Sequence, residues 1–145
     1  MRELTTKEKG NITELKCATA FIALGYKISI PYGEDCPYDF IADLNGKLIR
    51  IQCKTSHKLK NGEGFEFKCC SVIVTTKGIK TTGYTEGAFD YFATIDNDIC
   101  YLVPLEECGK AKILRYCYPK NGQKKKISLA TEFTLDNMIQ KIMAA

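Results

Sequence analysis

Near its start the chain changes hydrophobic period. From Asn11 to Leu24, "NITELKCATAFIAL", the apolar residues Ile12, Leu15, Ala18 and Ile22 recur at helical spacing with Glu14 and Lys16 between them, and Gly25 supplies a stop. That spacing predicts an amphipathic helix. "YKISIPY" then alternates Tyr26, Ile28 and Ile30 with polar positions, the period of a strand, ended by Pro31 and Gly33. In "YDFIADLNGKLIRIQCKTS" two alternating runs flank Asn45-Gly46, which suits the two positive-φ positions of a type I′ hairpin turn.

Farther on, "HKLKNGEGF" is polar and predicts a loop, followed by a strand-like run from Phe65 to Val74. "TTKGIKTTGYTEGAFDYF" carries three glycines and predicts a loop with a short helical turn from Glu86 to Tyr91. "YFATID" and "CYLVPL" form a second hairpin about Asp96-Asn97-Asp98, "KILRYCY" a further strand and "PKNGQKKK" a basic turn. "TLDNMIQKIM" is a closing helix with Thr134 as N-cap and Asp136 in its first turn. A helix, three strands, an irregular crossover, more strands and a last helix predict an α/β (α+β) architecture, with one domain over residues 1–145.

Composition narrows the class. With 145 residues, 45% of them hydrophobic, the chain can bury one substantial core. Its apolar runs fall well short of the ~20 residues a membrane span needs, and "MRELTTKEKG" is too polar for a secretory signal, so a cytoplasmic protein with no membrane partner is expected. Twenty-one Lys and Arg against seventeen Asp and Glu leave +4, which is compatible with a polyanion without requiring one. The eight cysteines include no C-x-x-C pair and His57 is the only histidine, so free thiols are expected rather than a zinc site.

The chemistry concentrates in the first hairpin. Strand alternation puts Asp39, Ile41 and Asp43 on one face, and Arg50, Gln52 and Lys54 on one face of the returning strand. The antiparallel turn sets Asp39 opposite Gln52 to Lys54. A carboxylate, an amide oxygen and an ammonium then converge, a grouping that suits phosphodiester hydrolysis with Mg²⁺ held by hard oxygen ligands. Asp39, the Gln52 side-chain oxygen and the Cys53 carbonyl are candidate metal ligands, Glu14 on the first helix is the acid that completes the set, and Lys54 orients water or offsets transition-state charge.

"PYDFIAD" with "IRIQCKTS", and a preceding helix that bears Glu14, resembles the PD-(D/E)xK nuclease superfamily, and within it the group I intron homing endonucleases whose last motif is Q-x-K. "KGNITELKCATAFIALGYKISIPYGEDCPYDF" and "DYFATIDNDICYLVP" resemble that group's early elements and later hairpin, so the likeness spans about two thirds of the chain. Archaeal Holliday junction resolvases are similar in layout but carry an acid where Gln52 stands. The resemblance implies a restriction-endonuclease-like mixed central sheet flanked by helices, with Glu14, Asp39, Gln52 and Lys54 at the catalytic positions. It also implies DNA as substrate, Mg²⁺ as cofactor with Mn²⁺ as a substitute ion, and a homo-oligomer, dimer or tetramer. Two departures stand out: Tyr38 separates Pro37 from Asp39, and Gln52 removes one negative charge from the metal site.

Ser56, Lys58, Lys60, Lys77, Lys80, Lys124, Lys125 and Lys126 are candidate DNA contacts, since neutralised phosphates supply most sequence-independent affinity. Tyr84, Phe89, Tyr91 and Phe92 read as core rather than as a base-stacking patch. Two other readings use the same residues: a nuclease for branched DNA or repair, and a DNA-binding module that kept the fold and lost cleavage.

Overall fold

The computed structural model describes the backbone of all 145 residues and every side chain except those of residues 72–74. In chain order the elements are α1 (Thr6–Ala23), β1 (Lys27–Ser29), β2 (Phe40–Leu44), β3 (Lys47–Cys53), β4 (His57–Lys58), β5 (Gly64–Lys68), β6 (Cys70–Thr75), β7 (Gly78–Gly83), β8 (Tyr91–Asp96), β9 (Ile99–Pro104), β10 (Ala111–Arg115) and α2 (Leu135–Ala144). A central sheet runs in the order β1-β2-β3-β8-β9. It is mixed, because β3 and β8 run parallel while its other pairs are antiparallel. Among the described residues no helix is long and apolar enough to cross a membrane.

The β2–β3 hairpin forms as its sequence predicts. Asn45 and Gly46 take φ of 55° and 99°, and the strands pair from Leu44↔Lys47 to Phe40↔Ile51. Asn97 and Asp98, at φ 50° and 61°, make the same kind of turn between β8 and β9. Thr134 caps α2 by accepting from the Asn137 N–H.

Two layers cover the central sheet. On one face α1 packs Phe21 edge-on against Phe40, with ring centroids 5.7 Å apart. On the other, Phe65 and Phe67 of β5 meet Tyr101 and Phe92 at 5.0 and 5.7 Å. β5 lies between β4 and β10 in a separate three-stranded sheet. Here Gly64 is required by close approach, because a Cβ at that position would collide with the Leu114 carbonyl of β10.

Several expectations need correction. Helix α1 begins at Thr6, five residues before the predicted Asn11, because Thr5 and Glu8 form a reciprocal capping box. Its buried stripe is Thr13, Cys17 and Phe21, whereas Ile12, Leu15 and Ile22 of the predicted face are exposed. The expected loop after Lys54 contains a short strand, β4, with His57 in it. The run from Phe65 to Val74 is two strands broken at Cys69 and assigned to different sheets, and the side chains at its far end lie outside the described residues. No helical turn occupies Glu86 to Tyr91; β7 precedes that stretch and β8 starts at its end.

Candidate active site

The site forms where β3 leaves the central sheet. Asp39 sits one residue before β2, and its N–H donates to the Ile51 carbonyl at 2.7 Å, extending the hairpin ladder by one bond. Its side chain turns along the same edge, and Oδ2 accepts from the Cys53 N–H at 2.7 Å. Two backbone tethers therefore fix this carboxylate against the end of β3. The Lys54 N–H bonds to the Ala93 carbonyl of β8, which holds the next residue in the sheet as well.

Glu14 arrives from α1 beside the buried stripe. Its neighbour Thr13 is buried, donates to the Lys9 carbonyl and lies 3.2 Å from the Thr55 hydroxyl, so the helix is pinned to the segment that follows Lys54. Burial raises the Glu14 pKa above the ordinary carboxylate range, and the Asp39 charge raises it further. Burial likewise raises Asp39, against the opposing effects of the Cys53 N–H and the Lys54 charge. Two half-buried carboxylates, one raised further by the charge of the other, make a hard, anionic donor pair. Glu8, the competing acid on the same helix, is engaged with Arg2 and Thr5.

Gln52 follows Ile51, the last residue of β3 paired with β2, and its amide nitrogen is 3.5 Å from the Cys53 carbonyl. The donor chemistry, two carboxylates with a carboxamide and a backbone carbonyl beside them, fits a hard divalent ion such as Mg²⁺. Asp39, Glu14, Gln52 and the Cys53 carbonyl are the groups that would hold it.

The Lys54 ammonium donates to the Cys70 carbonyl at 3.1 Å and lies 5.1 Å from the centre of the Tyr84 ring. Tyr84 is braced by Phe89 and Phe92, at 4.9 and 5.8 Å, so these aromatics are core, as expected, and support the lysine. Asp90 was not foreseen from the sequence. It accepts from the Arg50 backbone N–H at 2.8 Å and from the guanidinium at 3.1 and 3.3 Å, tying the middle of β3 to the entry of β8. Although burial pushes its carboxyl up, these bonds hold it below the usual range. No local pattern points to that pairing, because the partners lie forty positions apart in sequence.

The proposed DNA contacts divide. Ser56 donates to the Ile95 carbonyl at 2.6 Å, and Lys58 is bound to Asp96, Asn97 and the Tyr116 hydroxyl. Both hold the fold together. Lys60, Lys77, Lys80, Lys124, Lys125 and Lys126 are exposed. A depression of about 770 Å³, lined by Tyr84, Asp90 and Lys47 among others, includes none of Glu14, Asp39, Gln52 and Lys54. The four candidates lie outside it.

Residues 4–136 match the family model for PD-(D/E)XK endonucleases. The chain belongs to that family. Its fold is similar to that of a bacterial homing endonuclease, I-Ssp6803I, with a TM-score of 0.77 and 20% sequence identity over 97% of both chains. No curated protein matches the chain in sequence. As a PD-(D/E)XK endonuclease family member the protein is a nuclease.

Proposed function

We propose that this chain is a Mg²⁺-dependent DNA endonuclease of the homing type, with Glu14, Asp39, Gln52 and Lys54 as its catalytic residues. The observation that carries the reading is the Asp39 carboxylate, held by the Cys53 N–H at 2.7 Å at the end of β3 next to Lys54, with Glu14 of α1 near enough to feel its charge. A bound divalent ion supplies activation of water and neutralises charge that grows at the phosphorus. Asp39, fixed by two backbone bonds, and Glu14 provide its negative ligands. Gln52 contributes a neutral one and so leaves the site less anionic than a second strand acid would. Lys54 presents a positive charge to the non-bridging oxygens of the scissile phosphate as negative charge builds there.

Cutting both strands of a duplex calls for two such sites, and a one-site chain obtains them by self-association. The exposed Ile12, Leu15 and Ile22 of α1 supply apolar surface for it. Lys60 and the Lys124–Lys126 run add phosphate contacts.

Supercoiled plasmid incubated with the purified chain tests the reading. Wild type nicks or linearises the plasmid in Mg²⁺ or Mn²⁺ and not in EDTA, whereas Lys54→Ala does not. Equal cleavage by the two proteins, or none by the wild type on plasmid DNA or on branched junctions, overturns it.

A further inference from the structure

The β6–β7 pair has no partner sheet. The two strands pair with each other from Cys70↔Gly83 to Thr75↔Gly78, and neither joins the central or the three-stranded sheet. All six residues of β7 are exposed, as are Thr75, Thr76 and Lys77 at the turn. Isolated hairpins are marginal in water, so a strand as exposed as β7 does little for the stability of the domain. We propose that this ribbon is an arm that enters a groove of duplex DNA, and that its base is fastened to the active-site lysine. The proposal rests on the nuclease reading above.

Charge and side-chain chemistry select the partner. Between Glu66 and Glu86 the chain has no acidic residue, but it has Lys68, Lys77 and Lys80. Thr75, Thr76, Thr81 and Thr82 add exposed hydroxyls and methyls, which suit phosphates, base edges and the thymine methyl. The sequence puts Val72, Ile73 and Val74 on β6 and Ile79 on β7, so the choice of DNA as partner rests on the lysines and threonines of the exposed β7 and its turn. A two-stranded ribbon fits the major groove, which is about 12 Å wide, and six residues extend roughly 20 Å along it.

The position of the ribbon's base links recognition to chemistry. Cys70, its first residue, accepts the Lys54 ammonium through its carbonyl, and Tyr84, the residue after its last, presents its ring to the same ammonium. Both ends of the ribbon therefore meet at Lys54. A duplex gripped by the ribbon has its backbone beside that lysine, and a shift of the ribbon on binding acts directly on the group that must reach the phosphate.

The test uses the full chain and a fluorescent duplex of random sequence, bound in Ca²⁺ and followed by anisotropy against salt, with plasmid cleavage in Mg²⁺ alongside. The Lys77→Glu/Lys80→Glu variant is expected to bind roughly tenfold or more weakly at low salt and to lower the salt slope by about 2, with unchanged melting temperature and oligomer size. Thr81→Ala/Thr82→Ala is expected to keep that slope and alter the pattern of plasmid cut sites. Ribbon variants that bind within twofold of wild type and cut at the same sites overturn the proposal while leaving the nuclease reading intact. So does a charge-reversed variant whose only change is in oligomer size, which would make the ribbon a contact with a second copy. A wild-type chain that neither binds nor cleaves DNA removes the nuclease reading itself.

Discussion

Two aspartates, Asp96 with Lys58 and Asp39 with Lys54 near it, differ in how completely they are satisfied. Asp96, at the end of β8, is 5% exposed; its Oδ1 accepts from Lys58 at 3.1 Å and its Oδ2 from the Tyr116 hydroxyl at 2.6 Å. Lys58 also reaches Asn97 and Tyr116, so every member of this cluster has a partner. Asp39 has one side-chain bond, from the Cys53 N–H, while Lys54 is held by a backbone carbonyl and an aromatic face rather than by a carboxylate. A closed network holds β8, β4 and the segment after β10 together. An open one, with both carboxylates raised by burial and Glu14 also by the Asp39 charge, keeps binding capacity for something else.

By that contrast the two aspartates separate activity from stability. Asp39→Asn should reduce plasmid cleavage at least about 10³-fold, the rate equivalent of several kcal/mol, because it removes a charged ligand for the divalent ion. The asparagine oxygen can still accept from the Cys53 N–H, so the denaturant midpoint should stay near wild type; a large fall in that midpoint would show Asp39 to be structural. Lys54→Ala should cost about 10²- to 10³-fold in rate, as removal of a single electrostatic stabiliser does elsewhere. Single-turnover cleavage with saturating enzyme isolates that loss from weaker DNA binding.

Asp96→Ala should behave in the opposite way. It strips acceptors from Lys58 and Tyr116 and opens a gap at the end of β8, which should cost about 2 kcal/mol of unfolding free energy. Urea unfolding followed by circular dichroism reads that loss. Cleavage per folded molecule should remain close to wild type, and loss of chemistry without loss of stability would erase the distinction between the two pairs.

Parts of this picture are legible in the sequence because they are local. Asn45-Gly46 dictates its own turn, alternation then sets the hairpin register as far as Phe40↔Ile51, and Asp39 just beyond it meets the end of β3 through the Cys53 N–H. The capping box Thr5 to Glu8 was also readable and explains the early start of α1. The buried face of α1 was not, since Thr13 and Cys17 carry little weight in a hydrophobic pattern, whereas Ile12 and Leu15 carry much and stay in water. The ribbon escaped for a related reason. Its second strand buries nothing, so no period-two signal arises, and its glycines and threonines read as loop. Arg50 with Asp90, and Lys54 with Cys70 and Tyr84, depend on how distant segments fold back on β3.

The smallest effect is one of pH, and it examines the open pair most directly. Glu14 and Asp39 both titrate above the ordinary carboxylate range, Glu14 through burial and then the Asp39 charge, Asp39 through burial. A group raised in the folded state binds its proton more tightly there than in the unfolded chain. The metal-free protein therefore carries the cost of the two charges at neutral pH and is relieved of it as pH falls through the raised values. Binding of a divalent ion requires the charged forms, so acid should weaken it over the same window, by up to about tenfold per pH unit for each proton taken up. Calorimetric titration with Ca²⁺ across that range measures the dependence without any need for cleavage. With Ca²⁺ present the melting temperature should exceed that of the metal-free chain at neutral pH, and the gap should close as pH drops. Glu14→Gln should move the onset to lower pH, because the carboxyl raised by both burial and the Asp39 charge is gone and only Asp39 remains to titrate; an unchanged onset would show that the two carboxylates do not share one ion.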